Sequence, residues 1–238
     1  MKNGILHSWK ESMLIFIPRN LKIFFLATIN VFLKALKPFF LYFFPFIILW
    51  IGYDSVCRVQ SPAWCFRLYY PAFFIFALIN AGMIAAIRPS VAKKDGAYYK
   101  GLWFQLICAT ILDFLYTLSM GTLAPSLYSF LILPFIIMPL VTIALFFILD
   151  APKNMFSIVK SLKRAALFVF YNYPFFFISI VGYFLLFGLL FLLLGLLLQF
   201  MKAAFLMPII QLIGMFILMC WFSIMYTKRV YEQYEIYK

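Results

Sequence analysis

The chain has 238 residues, of which 67% are hydrophobic, 22% aromatic and 11% charged, with a formal net charge of +13 and a mean hydropathy of +1.04. A soluble domain carries about 25% charged residues and about half apolar ones, so this inventory cannot clothe a water-facing surface. The positive charge sits beside apolar runs, with no basic–aromatic recognition module, which points to anionic lipid headgroups and away from nucleic acid.

The N-terminal stretch Met1–Pro18 has Trp9, Lys10 and Glu11 where a signal peptide would need a continuous apolar run, so no cleavable signal is expected. Leu6, Trp9, Met13, Phe16 and Ile17 recur at helical spacing opposite Lys10, Glu11 and Ser12. That pattern predicts an amphipathic interfacial helix, with Trp9 as a headgroup-level anchor. The apolar run Leu21–Leu33 is about 13 residues long, below spanning length, and only Lys34-Ala35-Leu36-Lys37-Pro38 separates it from the next run. An interfacial helix followed by a kinked span is expected. The alternative is one long tilted helix from Asn20 to Tyr53, kinked near Pro38 and Pro45.

From there, six runs are greasy enough to be read as spans: Pro38–Tyr53, Leu68–Ile87, Leu102–Gly121, Leu127–Leu149, Tyr173–Phe200 and Ala204–Tyr226. A hydrocarbon core about 30 Å thick needs about 20 helical residues, and most of these runs meet that length. Continuous Leu and Phe over Phe184–Leu198 shows none of the alternation a barrel strand needs, so the predicted fold is all-α, a polytopic membrane helix bundle. The gaps between runs alternate in basic content. Lys2, Lys10, Arg19, Lys22, Lys34, Lys37, then Arg88, Lys93, Lys94, Lys100, then Lys153, Lys160, Lys163, Arg164, then Lys228, Arg229 and Lys238 form one set; Arg58, Arg67 and Lys202 form the other. Basic loops stay on the cytoplasmic side, so six transmembrane helices with both termini inside are predicted. The chain then divides into a cytoplasmic-side segment (1–37), a transmembrane domain (38–226) and a cytoplasmic tail (227–238).

Within this plan, Cys57 and Cys65 bracket the first external loop and are candidates for a disulfide that pins it. Cys108 and Cys220 fall inside spans and are expected to be inert buried thiols. A second amphipathic helix is predicted over about 153–170. Lys153, Ser157, Lys160, Ser161 and Arg164 line one face, and Phe156, Val159, Leu162, Ala166 and Val169 the other. It reads either as a membrane-parallel connector packed under the bundle or as a surface for lipid or a partner. Aligning Ser8-Trp9-Lys10 with Ser161-Leu162-Lys163 also pairs Leu14 with Leu167 and Phe24 with Phe177, a weak sign of two parallel copies. Gly188 and Gly195 share one helical face, which suggests close helix packing or, alternatively, a dimer contact.

The Ser161-Leu162-Lys163-Arg164 stretch before an Asn172-Tyr173-Pro174 span entry, with the comparable Pro18-Arg19-Asn20-Leu21-Lys22 entry, resembles a loose group of bacterial six-span membrane proteins of the YciC-like and YesL-like kind. The resemblance covers layout along most of the chain. It implies a multi-pass protein of the cell membrane, a bacterial inner membrane, and brings no substrate with it.

Chemistry is sparse. His7 is the sole histidine and reads as an ordinary interfacial polar residue. No metal-ligand spacing and no phosphate-binding loop are present, and the carboxylates are scattered one per region, so no catalytic, cofactor-binding or metal site is predicted and an enzyme is not expected. The sharpest candidate is Asp113, near the middle of the third span. An acid there must face a bundle interior or wet cavity and find a partner. Asn80, Gln105, Tyr116, Thr117 and Gln211 are polar groups that could share that interior, Gln105 and Thr117 lying eight and four residues from Asp113 on its own helix face. Two functions follow. In the first, the protein is a non-catalytic membrane component that organises lipids with anionic headgroups, another membrane protein or a second copy of itself. In the second, it is a small permease or transporter subunit whose passage is lined by Asp113, Asn80, Gln105 and Gln211.

Overall fold

A computed structural model describes residues 5–59, 62–92, 103–123, 133–150, 154–200 and 207–232. Among them the chain is helical throughout: α1 (Ile5–Met13), a 3-10 turn (Leu14–Phe16), α2 (Pro18–Val59), α3 (Pro62–Ala92), α4 (Trp103–Leu123), a π-turn (Leu133–Ile137), α5 (Met138–Asp150), α6 (Met155–Tyr171), α7 (Tyr173–Phe200) and α8 (Met207–Glu232). Two helices are long and apolar enough to cross a membrane, over Leu68–Ala85 and Tyr173–Leu197. A third is added if the bent pair Ile5–Phe16 and Pro18–Lys37, which meet at 74°, counts as one span. Phe104–Tyr116, Phe135–Leu149 and Phe216–Tyr226 are apolar but shorter.

The first helices differ from expectation at one point. Residues 21–33 are not a separate element; they belong to α2, one helix of 42 residues. The break falls earlier, at Ile17, where the backbone is extended and Pro18 opens α2. Proline suits that place because the first helical residue has no use for its N–H. Pro38 and Pro45 lie inside the helix, so they did not end it.

The fold consists of two compact units: residues 1–32 with 167–238, and residues 33–166. In the second unit α3, α4 and α5 pack together. Ala77 and Ala81 on α3 and Ala109 on α4 are buried, and small side chains at such places let backbones approach closely. Every residue of α5 from Val141 to Leu149 is buried, so it is the central helix of that group.

In the first unit α8 is the central element. Its buried run Phe216–Tyr226 meets α2 through Phe24–Trp221 and Phe32–Phe216, with ring centroids 4.3 and 5.3 Å apart. It meets α7 through Phe176–Phe222 at 5.2 Å and through the Trp221 indole N–H, which donates to Ser179 Oγ at 2.8 Å. Aromatic pairs at these spacings add about 0.5–1.5 kcal/mol each beyond the area they bury.

Two helix–bend–helix junctions belong to this unit. At the α6–α7 junction Asn172 carries both sides of the turn. Its side-chain amide donates to the Phe168 carbonyl at 2.9 Å, and its own carbonyl accepts from the Phe175 and Phe176 amides. The carbonyl of Phe170, in the last turn of α6, accepts the Trp9 indole N–H at 2.9 Å, so α1 supplies a cap to α6. Trp9, read as a headgroup anchor, thus has a protein partner.

Candidate functional site

Asp113 and Asn80 meet. The Asn80 side-chain amide donates to Asp113 Oδ2 at 2.8 Å, joining α3 to α4. Asp113 is 5% exposed and Asn80 is half-buried. The reason lies in how α4 is divided. Gln105, Ala109 and Asp113 recur every four residues and are all buried, while Phe104, Ile107, Ile111 and Leu115 recur on the opposite side and are exposed. The polar stripe therefore faces the other helices and the apolar stripe faces outward. On α3 the order is the same: Tyr70, Phe74 and Leu78 are exposed, Ala77, Ala81 and Ile84 buried.

Of the other sequence candidates, Gln105 is buried two turns before Asp113 on the same stripe, as its spacing required. Tyr116 is half-buried one turn beyond Asp113. Gln211 belongs to α8 in the other unit, and its side chain, like that of Thr117, lies outside those described. Thr142 on α5 is also buried, a polar residue that sequence reading did not single out. Nothing in its Val-Thr-Ile context sets it apart from a β-branched packing residue, so periodicity alone could not have found it.

Most interior hydroxyls are turned onto their own helices. Thr28 donates to the Phe24 carbonyl, Thr110 to Leu106, Ser119 to Tyr116, Ser161 to Ser157 and Ser223 to Cys220, at distances of 2.7–3.0 Å. A hydroxyl satisfied three or four residues back on its own helix is a packing element. The indole donor of Trp221 is likewise held by Ser179. His7 faces Glu11 one turn along α1, Nδ1 to Oε1 3.6 Å, with both side chains largely open.

The cysteines divide. Cys57 is disulfide-bonded, whereas Cys108 and Cys220 are free thiols. Cys220 is buried as expected, but Cys108 is only half-buried, because it lies on the flank between the two stripes of α4. Cys65, the remaining cysteine of the four, lies outside the described side chains.

Two expectations about packing need correction. A side chain added at Gly188 would meet nothing within 4 Å, so this glycine does not serve a close helix contact within the chain. On α6 the covered side differs in part from the sequence reading. Ser161, read on the polar face, is buried, while Phe156 is 79% and Val159 60% exposed. Lys160 and Lys163 are exposed and Val169 is buried, as read.

The fold is thus all-helical, with two or three helices able by length and composition to cross a membrane and one buried acid–amide pair between helices. Comparison with protein-family models, with curated proteins and with solved structures finds no match to this chain.

Proposed function

We propose that the chain is a six-span integral protein of the cell membrane, with both termini cytoplasmic, and that it acts as a non-catalytic component organising lipids or a partner complex. The membrane part of this reading is supported by the exposed apolar stripes of α3 and α4 and by α7. Beyond Ile180 no described side chain of α7 up to Leu197 is buried within the chain, and Leu185, Leu186, Leu189 and Leu193 all stand exposed. Apolar surface of that extent is stable against lipid or another chain and not against water. The count of six, beyond the two or three helices that are long enough alone, rests on the shorter apolar helices and the alternation of basic loops. A Cys57–Cys65 disulfide belongs to the same proposal, with the loop between them on the oxidising side.

One observation carries the choice of a non-transporting component. Asp113 accepts a direct bond from Asn80, and Thr28, Thr110 and Ser223 donate to carbonyls of their own helices. A relay or substrate path needs polar groups that can exchange partners. Here the bond does what an interhelix bond does in a membrane bundle: it fixes α3 against α4. The test is Asp113→Asn and Asp113→Leu in cells, scored by growth or flux with the protein level checked in the membrane fraction. Normal function of both variants is expected. Loss of function in Asp113→Asn at normal level would instead assign Asp113 to a permease pathway, since asparagine keeps shape and hydrogen bonding but cannot cycle a proton.

A further inference from the structure

The α6 helix has three sides, each drawn by helical spacing. Ile158, Ser161, Ala165 and Phe168 form a buried stripe, with exposures of 6%, 5%, 0% and 0%. Met155, Val159, Leu162 and Ala166 form an exposed apolar stripe next to it. Lys160, Lys163 and Arg164 form a third side, and Phe156 stands on it between Lys163 and Lys160. Lys160 and Lys163 are exposed; Arg164 is half-buried, and its Nε is a buried donor with no acceptor among the described residues. The helix is firmly begun: the Asn154 side chain caps it, accepting from the Ser157 amide at 2.7 Å. It ends at Tyr171, where the Asn172 turn leads into the long apolar α7.

A helix in water would bury its apolar stripe and expose its bases; one deep in hydrocarbon would carry no bases. Three sides of protein, hydrocarbon and positive charge meet at one place, the edge of a bilayer. We propose that α6 lies in the plane of the lipid–water interface, with Met155, Val159 and Leu162 in the acyl layer and Lys160, Lys163 and Arg164 on the phosphates of anionic phospholipids. This rests on the membrane reading above and adds to it which surface meets the headgroups and which lipid class it selects. Charge complementarity names the occupant: α6 contains three bases and no acid over Met155–Tyr171. An acidic peptide would satisfy the bases but would leave Met155, Val159 and Leu162 in water.

The test uses the full chain in phosphatidylcholine nanodiscs, with and without phosphatidylglycerol, carrying Cys108→Ala and Cys220→Ala so that a spin label can be placed singly. Labels at Val159→Cys and Leu162→Cys should collide with lipid-soluble oxygen, and a label at Lys160→Cys with a water-soluble nickel chelate. A label at Leu189→Cys on α7 reports the membrane reading separately, and oxygen access is expected there. Nickel access at Val159 together with oxygen access at Leu189 would overturn the placement of α6 while leaving the membrane reading intact. A label at Val159 reached by neither reagent would mean a protein partner covers the face, and would equally overturn the proposal. For lipid selection, phosphatidylglycerol retained by the full chain after extraction should fall in the Lys160→Gln/Lys163→Gln variant, on the order of fivefold for each lysine removed. Unchanged retention would refute selection of anionic lipid by this face.

Discussion

Removing the bond between Asn80 and Asp113 isolates a polar contact that joins two helices of the second unit. The two groups share a single bond of 2.8 Å between α3 and α4. In water-free surroundings such a bond looks strong, but the separated helices also find partners for their polar groups. The net worth of an interhelix bond in a membrane bundle is typically about 0.6 kcal/mol and seldom above about 2 kcal/mol. The half-buried amide of Asn80 has room to find another partner, which favours the low end. The buried Asp113 carboxyl has less, so Asn80→Ala should cost more than Asp113→Asn, in which an amide oxygen still accepts. A double-mutant cycle of Asn80→Ala and Asp113→Ala, followed by unfolding of the full chain from bicelles with dodecyl sulfate, should give a coupling of about 1 kcal/mol. A coupling indistinguishable from zero would mean that the bond does not hold the helices. A value well above about 2 kcal/mol would mean that the pair belongs to a larger network, and the packing argument would fail.

The two indole bonds should rank by burial. Trp221→Phe strips a donor from Ser179, which is buried, and should cost about 1–2 kcal/mol; Trp9→Phe frees an exposed carbonyl and should cost about 0.5 kcal/mol in the same unfolding assay. The reverse order would show that the α1 contact matters more to the first unit than its exposure implies. A non-reducing mass map is expected to join Cys57 to Cys65, leaving Cys108 and Cys220 alkylated; free alkylation of Cys57 and Cys65 without reductant would end the pinned-loop idea. Phe168→Ala empties a fully buried site against Phe176 and Tyr226 and should cost about 3–5 kcal/mol, whereas Phe156→Ala, 79% exposed, should leave the unfolding midpoint nearly unchanged.

Particular residues show how far the sequence was legible. The helices of α1 and α6 could be read because apolar residues recur every three or four positions, and periodicity survives whatever surrounds the helix. Which face is covered could not be read. That depends on the medium, and the rule that apolar sides turn inward is drawn from proteins in water. The exposed Phe156 and buried Ser161 are the result. The pairing of Asp113 with Asn80 was legible as one of several options, because a mid-helix acid must find a partner and few polar groups were on offer. The continuity of α2 was obscured by Lys34, Lys37 and Pro38, which read as a connector. Proline inside a long helix is tolerated when other groups take up the freed carbonyl, a condition that local sequence does not report.

The six-span arrangement is tested most directly by a labelling map on intact cells. Single cysteines at Gly96, Lys160 and Tyr234, in a background lacking Cys108 and Cys220, should resist an impermeant external thiol reagent and react once the cells are opened. Cysteines at Ser61 and Thr122 should react from outside. Labelling of Gly96 from outside would contradict the whole arrangement, because that position lies among Lys93, Lys94 and Lys100, the bases that assign its loop to the cytoplasm.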